Sequence, residues 1–252
     1  CQALGIALPD RPAPSLSARF NSPVAPPAQK QDPAPFTPAV HDFPAELWRE
    51  HAEKFVIWAQ EKLRCNPEAL AWLEERGIDA RTVGEFRLGW NPGENGKDIY
   101  RSRKAWGLPE TFREDGKPKA LWIPVGLVIP YSVDGILQRI RIRRPDGEPR
   151  YYVLPGSSMS VMVIGLHHRA YVVVEAELDA IACAASCPLA GAVALGSVSA
   201  KPDTKAEKSL RDALSILLAV DYDAAGKKAV TWWTEHFPNC RRWPVPVGKD
   251  PG

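Results

Sequence analysis

Three short apolar runs, each closed by acids or by a glycine turn, constrain this chain more than any other feature. Tyr171-Val172-Val173-Val174 is followed directly by Glu175, Ala192-Val193-Ala194-Leu195 ends in Gly196-Ser197, and Ile216-Leu217-Leu218-Ala219-Val220 ends in Asp221-Tyr222-Asp223 and then Gly226. Each run has the length of a strand and is bounded by turn formers or acids. The Ala-rich segment from Ala180 to Ser186 and the polar segment before Ile216 read as helices between them. Strand–helix–strand–helix is the pattern of a parallel sheet, hence an α/β fold. Such sheets bind ligands beyond the carboxyl ends of their strands, and here those ends carry Glu175, Asp221 and Asp223.

The spacing of the acids has a chemical meaning. Asp221 and Asp223 stand two apart at a strand end and project the same way. Asp179 falls in the first turn of the helix after Glu175, where the positive end of the helix favours a carboxylate. Carboxylates drawn together repel, and they stay ionised near neutral pH only beside cations. An all-oxygen donor set suits Mg²⁺ or Mn²⁺ and not zinc, and magnesium shares its shell with substrate phosphates, which points to phosphoryl transfer. Other frames fail in detail. A calcium loop counted from Asp221 would need acids where Ala225 and Trp232 stand, and no Gly-x4-Gly-Lys-Ser/Thr phosphate loop is found. A haloacid-dehalogenase motif would need threonine at Ala225. Helix capping and solvated strand ends account for any one acid, and less well for the set.

Glu-x-x-x-Asp after one strand and Asp-x-Asp-x-x-Gly after a later one resemble the Toprim domain, the metal-binding module of bacterial primases, type IA and type II topoisomerases and some nucleases. The resemblance spans residues 170–252, and Lys249-Asp250-Pro251 looks like the third acidic element of the primase version. It implies that Glu175, Asp221 and Asp223 hold Mg²⁺ or Mn²⁺, with Asp179 and Asp250 as further ligands or supports. One departure stands out: Toprim domains carry glycine after the glutamate, and this chain has Ala176. If that position needs positive φ, alanine adds strain of about 1–2 kcal/mol.

Upstream residues support the same resemblance. Residues 45–64 read as a helix with Leu47, His51, Phe55, Trp58 and Leu63 on one stripe. Pro67 opens a second helix closed by Gly77, and Asp79 caps a third over residues 80–85. The string from Ala71 to Ile78, with Phe86-x-Leu88-Gly89 after it, resembles the helical entry of the bacterial primase catalytic core. Residues 121–124, 127–131 and 136–143 read as strands, with Asp134-Gly135 a hairpin turn and Trp106 an anchor in the turn-rich stretch before them. Arg143, Arg150 and Tyr151 match basic and tyrosine positions of the primase segment before its Toprim domain. Arg139, Arg141 and Arg143 alternate with Ile140 and Ile142, so three guanidiniums share one strand face. Like charges on one face repel unless an anion lies across them. With Arg144, Arg150 and Tyr151 they read as a surface for single-stranded template. Residues 226–237 read as a helix with Trp232 and Trp233 toward the core, and residues 242–246 as an edge strand.

The rest bounds the answer. The chain has 252 residues and a net charge of +2, so a nucleic-acid surface must be local. No run of about 18 apolar residues and no signal peptide is visible. Five scattered cysteines give no disulfide framework and no Cys-x2-Cys, so no structural zinc is expected, and Cys183 and Cys187 read as small core residues. Residues 1–8 resemble the end of an upstream zinc-ribbon domain, and residues 9–44 are a proline-rich linker in which Phe20 and Phe36 are candidate docking points but read more simply as isolated apolar residues.

The expectation is therefore an α+β subdomain over residues 45–168 and a Toprim Rossmann-like parallel sheet over residues 169–252. Together they would be the core of a DNA primase, a DNA-directed RNA polymerase. The resemblance implies a cytoplasmic nucleotidyltransferase joining ribonucleoside triphosphates on single-stranded DNA, without a membrane. A replicative helicase would be contacted through regions absent here. A Toprim nuclease or topoisomerase fragment, and a catalytically silent nucleic-acid-binding module of a mobile-element replication protein, remain the alternatives.

Overall fold

A computed structural model describes residues 36–197, 199–221 and 223–243. The expected zinc-ribbon end, the linker as far as residue 35, Phe20, the proline pair at 244 and 246, and Asp250 lie outside the described residues. The described residues belong to one compact unit.

Helix α1, Glu46–Arg64, opens the described helices. Its buried stripe is Trp48, Ala52, Val56, Ala59 and Leu63, one position round from the expected one, and Leu47 is exposed. The reason is close packing of backbone: a Cβ on Gly89 would lie 2.6 Å from the Ala59 Cβ, so the helix meets the sheet through small residues. Helix α2, Pro67–Glu74, is capped by Asn66, whose side chain accepts from the Ala69 amide, and α3, Ala80–Glu85, is capped by Asp79 in the same way. His51 of α1 stacks on the buried Trp106, which anchors the turn-rich stretch as expected.

Strands β1 (Gly89–Asn91), β4 (Gly126–Val133), β5 (Ile136–Arg143) and β6 (Tyr151–Val153) form an antiparallel sheet in the order β1-β4-β5-β6. Strands β2, Ile99–Arg101, and β3, Leu121–Ile123, pair as a separate ribbon. Asp134 and Gly135 both have positive φ, as a tight hairpin between right-twisted strands requires. Both faces of the four-stranded sheet are covered. Val128, Ile140 and Ile142 pack with Trp48, Ala52, Val56 and Ala59 of α1. Leu127, Ile129 and Tyr131, on the opposite face, join a core that runs into the second sheet.

That second sheet is β11-β10-β8-β9-β7, built from β7 (Met162–Ile164), β8 (Ala170–Val174), β9 (Gly191–Ala194), β10 (Ser215–Leu218) and β11 (Cys240–Arg242). The four strands from β8 onward are mutually parallel, and β7 runs antiparallel on β9. β7 therefore joins this sheet although it precedes Arg169. Helix α4, Glu177–Ser186, packs Leu178 and Ile181 with Val172, Val174, Ala192 and Ala194 on one face. Helices α5, Thr204–Asp212, and α6, Ala224–His236, cover the other through Leu210, Trp233 and Phe237 against Val173, Val193 and Ile216. Trp233 is fully buried, whereas Trp232 is half-buried. Cys183 is half-buried, and Cys187, at the end of α4, is exposed and not a core residue.

Candidate active site and its buried arginine bracket

β8 sits between β9 and β10, so the chain leaves the central strand first to one side and then to the other. Such a reversal of strand order opens a crevice at the carboxyl ends. Glu175 follows β8 and Asp221 follows β10, two parallel neighbours, and both are half-buried on that rim. Glu175 Oε1 accepts the Asp221 amide at 3.2 Å, tying the two strand ends together. Asp223 caps α6, accepting the Gly226 amide at 2.7 Å. Gly226 is required there, since a Cβ would lie 2.0 Å from the Asp221 carbonyl oxygen.

Ala176 has φ −102° and ψ 151°, extended backbone open to any residue, so alanine in place of glycine is unstrained. The Glu175 carbonyl accepts from Gly196 N at 2.8 Å, which brings the end of β9 to the same rim. Asp179, in the first turn of α4, faces Tyr151: its charge helps raise the tyrosine's pKa, after burial as the main cause and against the Arg143 guanidinium nearby.

The donor set is all carboxylate oxygen on one rim, which fits a hard divalent cation. Among the described residues, however, no three His, Cys, Asp or Glu side chains are gathered closely enough to share an ion. Two of the three expected ligands are instead turned to backbone N–H groups, Glu175 to Asp221 and Asp223 to Gly226.

The arginines depart from expectation. Arg139, Arg141 and Arg143 do share a face, but it is covered over Arg139 and Arg141. Arg139 is 5% exposed and its guanidinium, lodged 5.4 Å from the Tyr131 ring, is pushed to lower pKa by burial. The anion lying across the row is Glu177, 1% exposed. Arg141 Nη1 donates to both Glu177 oxygens at 2.9 and 3.0 Å, and Arg139 Nη2 donates to Oε1 at 3.2 Å and Nη1 to the Ser160 carbonyl. Arg139 is thus no template contact, because a buried guanidinium needs a fixed partner and has one.

The other basic residues remain accessible. Arg143 lies 4.4 Å from the Trp72 ring centroid, with Arg76 4.4 Å from the same ring. Arg144 stands 5.0 Å from the Trp122 ring centroid, and Arg150 is exposed. Arg143, Arg150, Trp72 and Trp90 line a cleft of about 450 Å³, and Tyr151 lies beside Arg143 on β6. Glu177 went unremarked in the sequence, where it looks like an ordinary first-turn acid. The run Leu127-Val128-Ile129-Pro130-Tyr131 in β4 carried a signal, since a strand with no polar alternation has both faces covered.

The fold is the one seen in primase RNA polymerase domains. Residues 172–252 match the Toprim-like domain family. The chain is similar to the RNA polymerase domain of Mycobacterium tuberculosis primase DnaG, solved with double-stranded DNA, at TM-score 0.57 and 18% identity over 81% of this chain and 74% of that one. It is also similar to the zinc-binding and RNA polymerase domains of Aquifex aeolicus primase, at TM-score 0.56 and 19% identity over 81% of this chain. It spans 55% of that chain's length. No curated protein matches the sequence. No described helix is long and apolar enough to cross a membrane.

Proposed function

We propose that this chain is the catalytic core of a primase, joining ribonucleoside triphosphates on single-stranded DNA. The observation that carries the reading is the placement of Glu175 and Asp221 on one rim of neighbouring parallel strands, in a fold shared with primase polymerase domains. Glu175, Asp221 and Asp223 would hold Mg²⁺ or Mn²⁺, with Asp179 and Asp250 supporting them. A bound divalent ion would stabilise charge on the nucleotide phosphates and lower the pKa of the attacking hydroxyl.

The chain's own residues supply position. The Asp221 amide and the Gly196 amide fix the side chain and carbonyl of Glu175. Arg143, Arg144 and Arg150 give phosphate contacts, and Trp72 with Tyr151 gives stacking surface, the pairing that a single strand requires. Arg141, held by Glu177 through one nitrogen and by the Gly196 carbonyl through another, backs this surface from below. The expected division at 168/169 shifts, since β7 already belongs to the second sheet: residues 45 to about 160 would bind the template, and residues from about Val161 would carry the metal site. The deciding experiment is primer synthesis by the purified chain on random single-stranded templates with labelled ribonucleotides. Mn²⁺-dependent products of a few nucleotides are expected; their absence with both Mn²⁺ and Mg²⁺, from protein shown to be folded, would refute the reading.

A further inference from the structure

Glu177 is two residues from Glu175, yet it points away from the rim into the interface between the sheets, where Arg139 and Arg141 take both its oxygens. The bracket does not stop at the ion pairs. Arg141 Nη2 donates to the Gly196 carbonyl at 2.9 Å, and Gly196 N donates to the Glu175 carbonyl at 2.8 Å. A chain of hydrogen bonds thus runs from β5 of the first sheet through Gly196 to the backbone of Glu175. A second route reaches the same turn from its other side through the Glu177 side chain. Gly196 has φ +80°, and a Cβ there would stand 2.8 Å from Arg141 Nη1, so the glycine is needed both for its conformation and for the approach of the guanidinium.

One anion between two guanidiniums is an expensive way to join two sheets, because burying ions costs desolvation that apolar packing avoids. What the ions add over apolar packing is direction, since charge-assisted hydrogen bonds from two guanidiniums converge on the first side chain of α4 and fix where that helix begins. We propose that Glu177, clamped by Arg139 and Arg141, is a positioning residue that holds the β8–α4 turn and sets the orientation of Glu175. This rests on the reading of Glu175 as a metal ligand, and it identifies side chains of the first sheet as outer supports of the second sheet's site. Outer partners of this kind change metal affinity by about 10–100-fold when removed.

The test replaces the whole bracket by apolar residues, Arg139→Met, Arg141→Met and Glu177→Leu together, so that no buried charge is left unpaired. Hydrogen exchange is followed at the amides of residues 175–180 and 196, Mn²⁺ affinity by calorimetry, and Tm by thermal melting. The expected result is an unchanged or raised Tm with faster exchange confined to those amides and Mn²⁺ affinity lower by about tenfold. Exchange and affinity both at wild-type level would overturn the proposal and leave the bracket as mere adhesive between the sheets. Should the triple variant not fold, Arg141→Lys decides in its place, since it keeps the charge but has one nitrogen where arginine uses two, and so gives up the fork that joins Glu177 to the Gly196 carbonyl. If wild-type protein takes up no Mn²⁺, the reading of the carboxylates falls, and the exchange comparison still decides whether the bracket positions the turn.

Discussion

Asp223 carries two duties that one substitution separates. As the cap of α6 it needs only a side-chain oxygen, which asparagine supplies as well as aspartate. As a metal ligand it needs the charge. Asp223→Asn is therefore expected to melt like the wild type while primer synthesis falls at least about a hundredfold, and Asp221→Asn should lose as much. Wild-type synthesis by either variant would remove the acids from the chemistry. Tyr131 and Tyr151 give a pH signature. Burial raises both hydroxyls above their ordinary 10.0, with Arg139 and Arg143 partly opposing it. The folded state then keeps these protons more tightly than the unfolded chain. The stability they contribute is fully present below pH 10 and is lost as pH rises through the raised folded values. Melts between pH 9 and 12 should show that fall, and Tyr131→Phe should flatten it.

At the scale of elements, β5 shows what a sequence discloses and where it stops. Its bounds, its hairpin turn and the shared face of its arginines follow from strict alternation and from Asp134-Gly135. What lies against that face does not follow, because Glu177 is 36 residues from Arg141 along the chain and only the fold brings them together. In α1 the bounds were legible but the face was not: the buried stripe is carried by Ala52 and Ala59, small residues with a weak hydrophobic signal, while the larger His51 and Phe55 drew the eye to a neighbouring stripe. The acidic rim was legible because acids at strand ends stand out locally, whereas Gly196 and the arginine bracket were hidden by distance in sequence. Three measurements follow. Neutralising Arg143, Arg144 and Arg150 should reduce the slope of log affinity for single-stranded DNA against log salt by about 0.7 per lost phosphate contact. Arg139→Gln should instead lower Tm, with the slope unchanged. Gly89→Ala should destabilise by about 1–3 kcal/mol in denaturant melts, because the new methyl has no room against Ala59.

At the scale of the molecule, the segment before α1 lies against α5 and α6, the helices on one face of the second sheet. Phe36 meets Trp232 edge-on at 5.0 Å, and the Ala39 carbonyl accepts from the Thr204 amide at 3.0 Å. Phe36 is thus an anchor on α6, the less favoured of the two readings its sequence context allows. Phe36→Ala should hasten proteolytic cutting near residues 36–43 without altering the melt of the remainder. β7 has a further consequence, for inheritance. The stretch matching the Toprim-like family starts at residue 172, inside β8, yet the sheet's antiparallel border comes from Met162–Ile164. A gene segment cut at that family boundary would carry β9 with its outer edge bare, an invitation to pair with another copy. Recombination or a designed fusion that transplants this sheet in working order must therefore begin no later than about Val161, so the transferable unit is longer than the stretch by which its kinship is recognised.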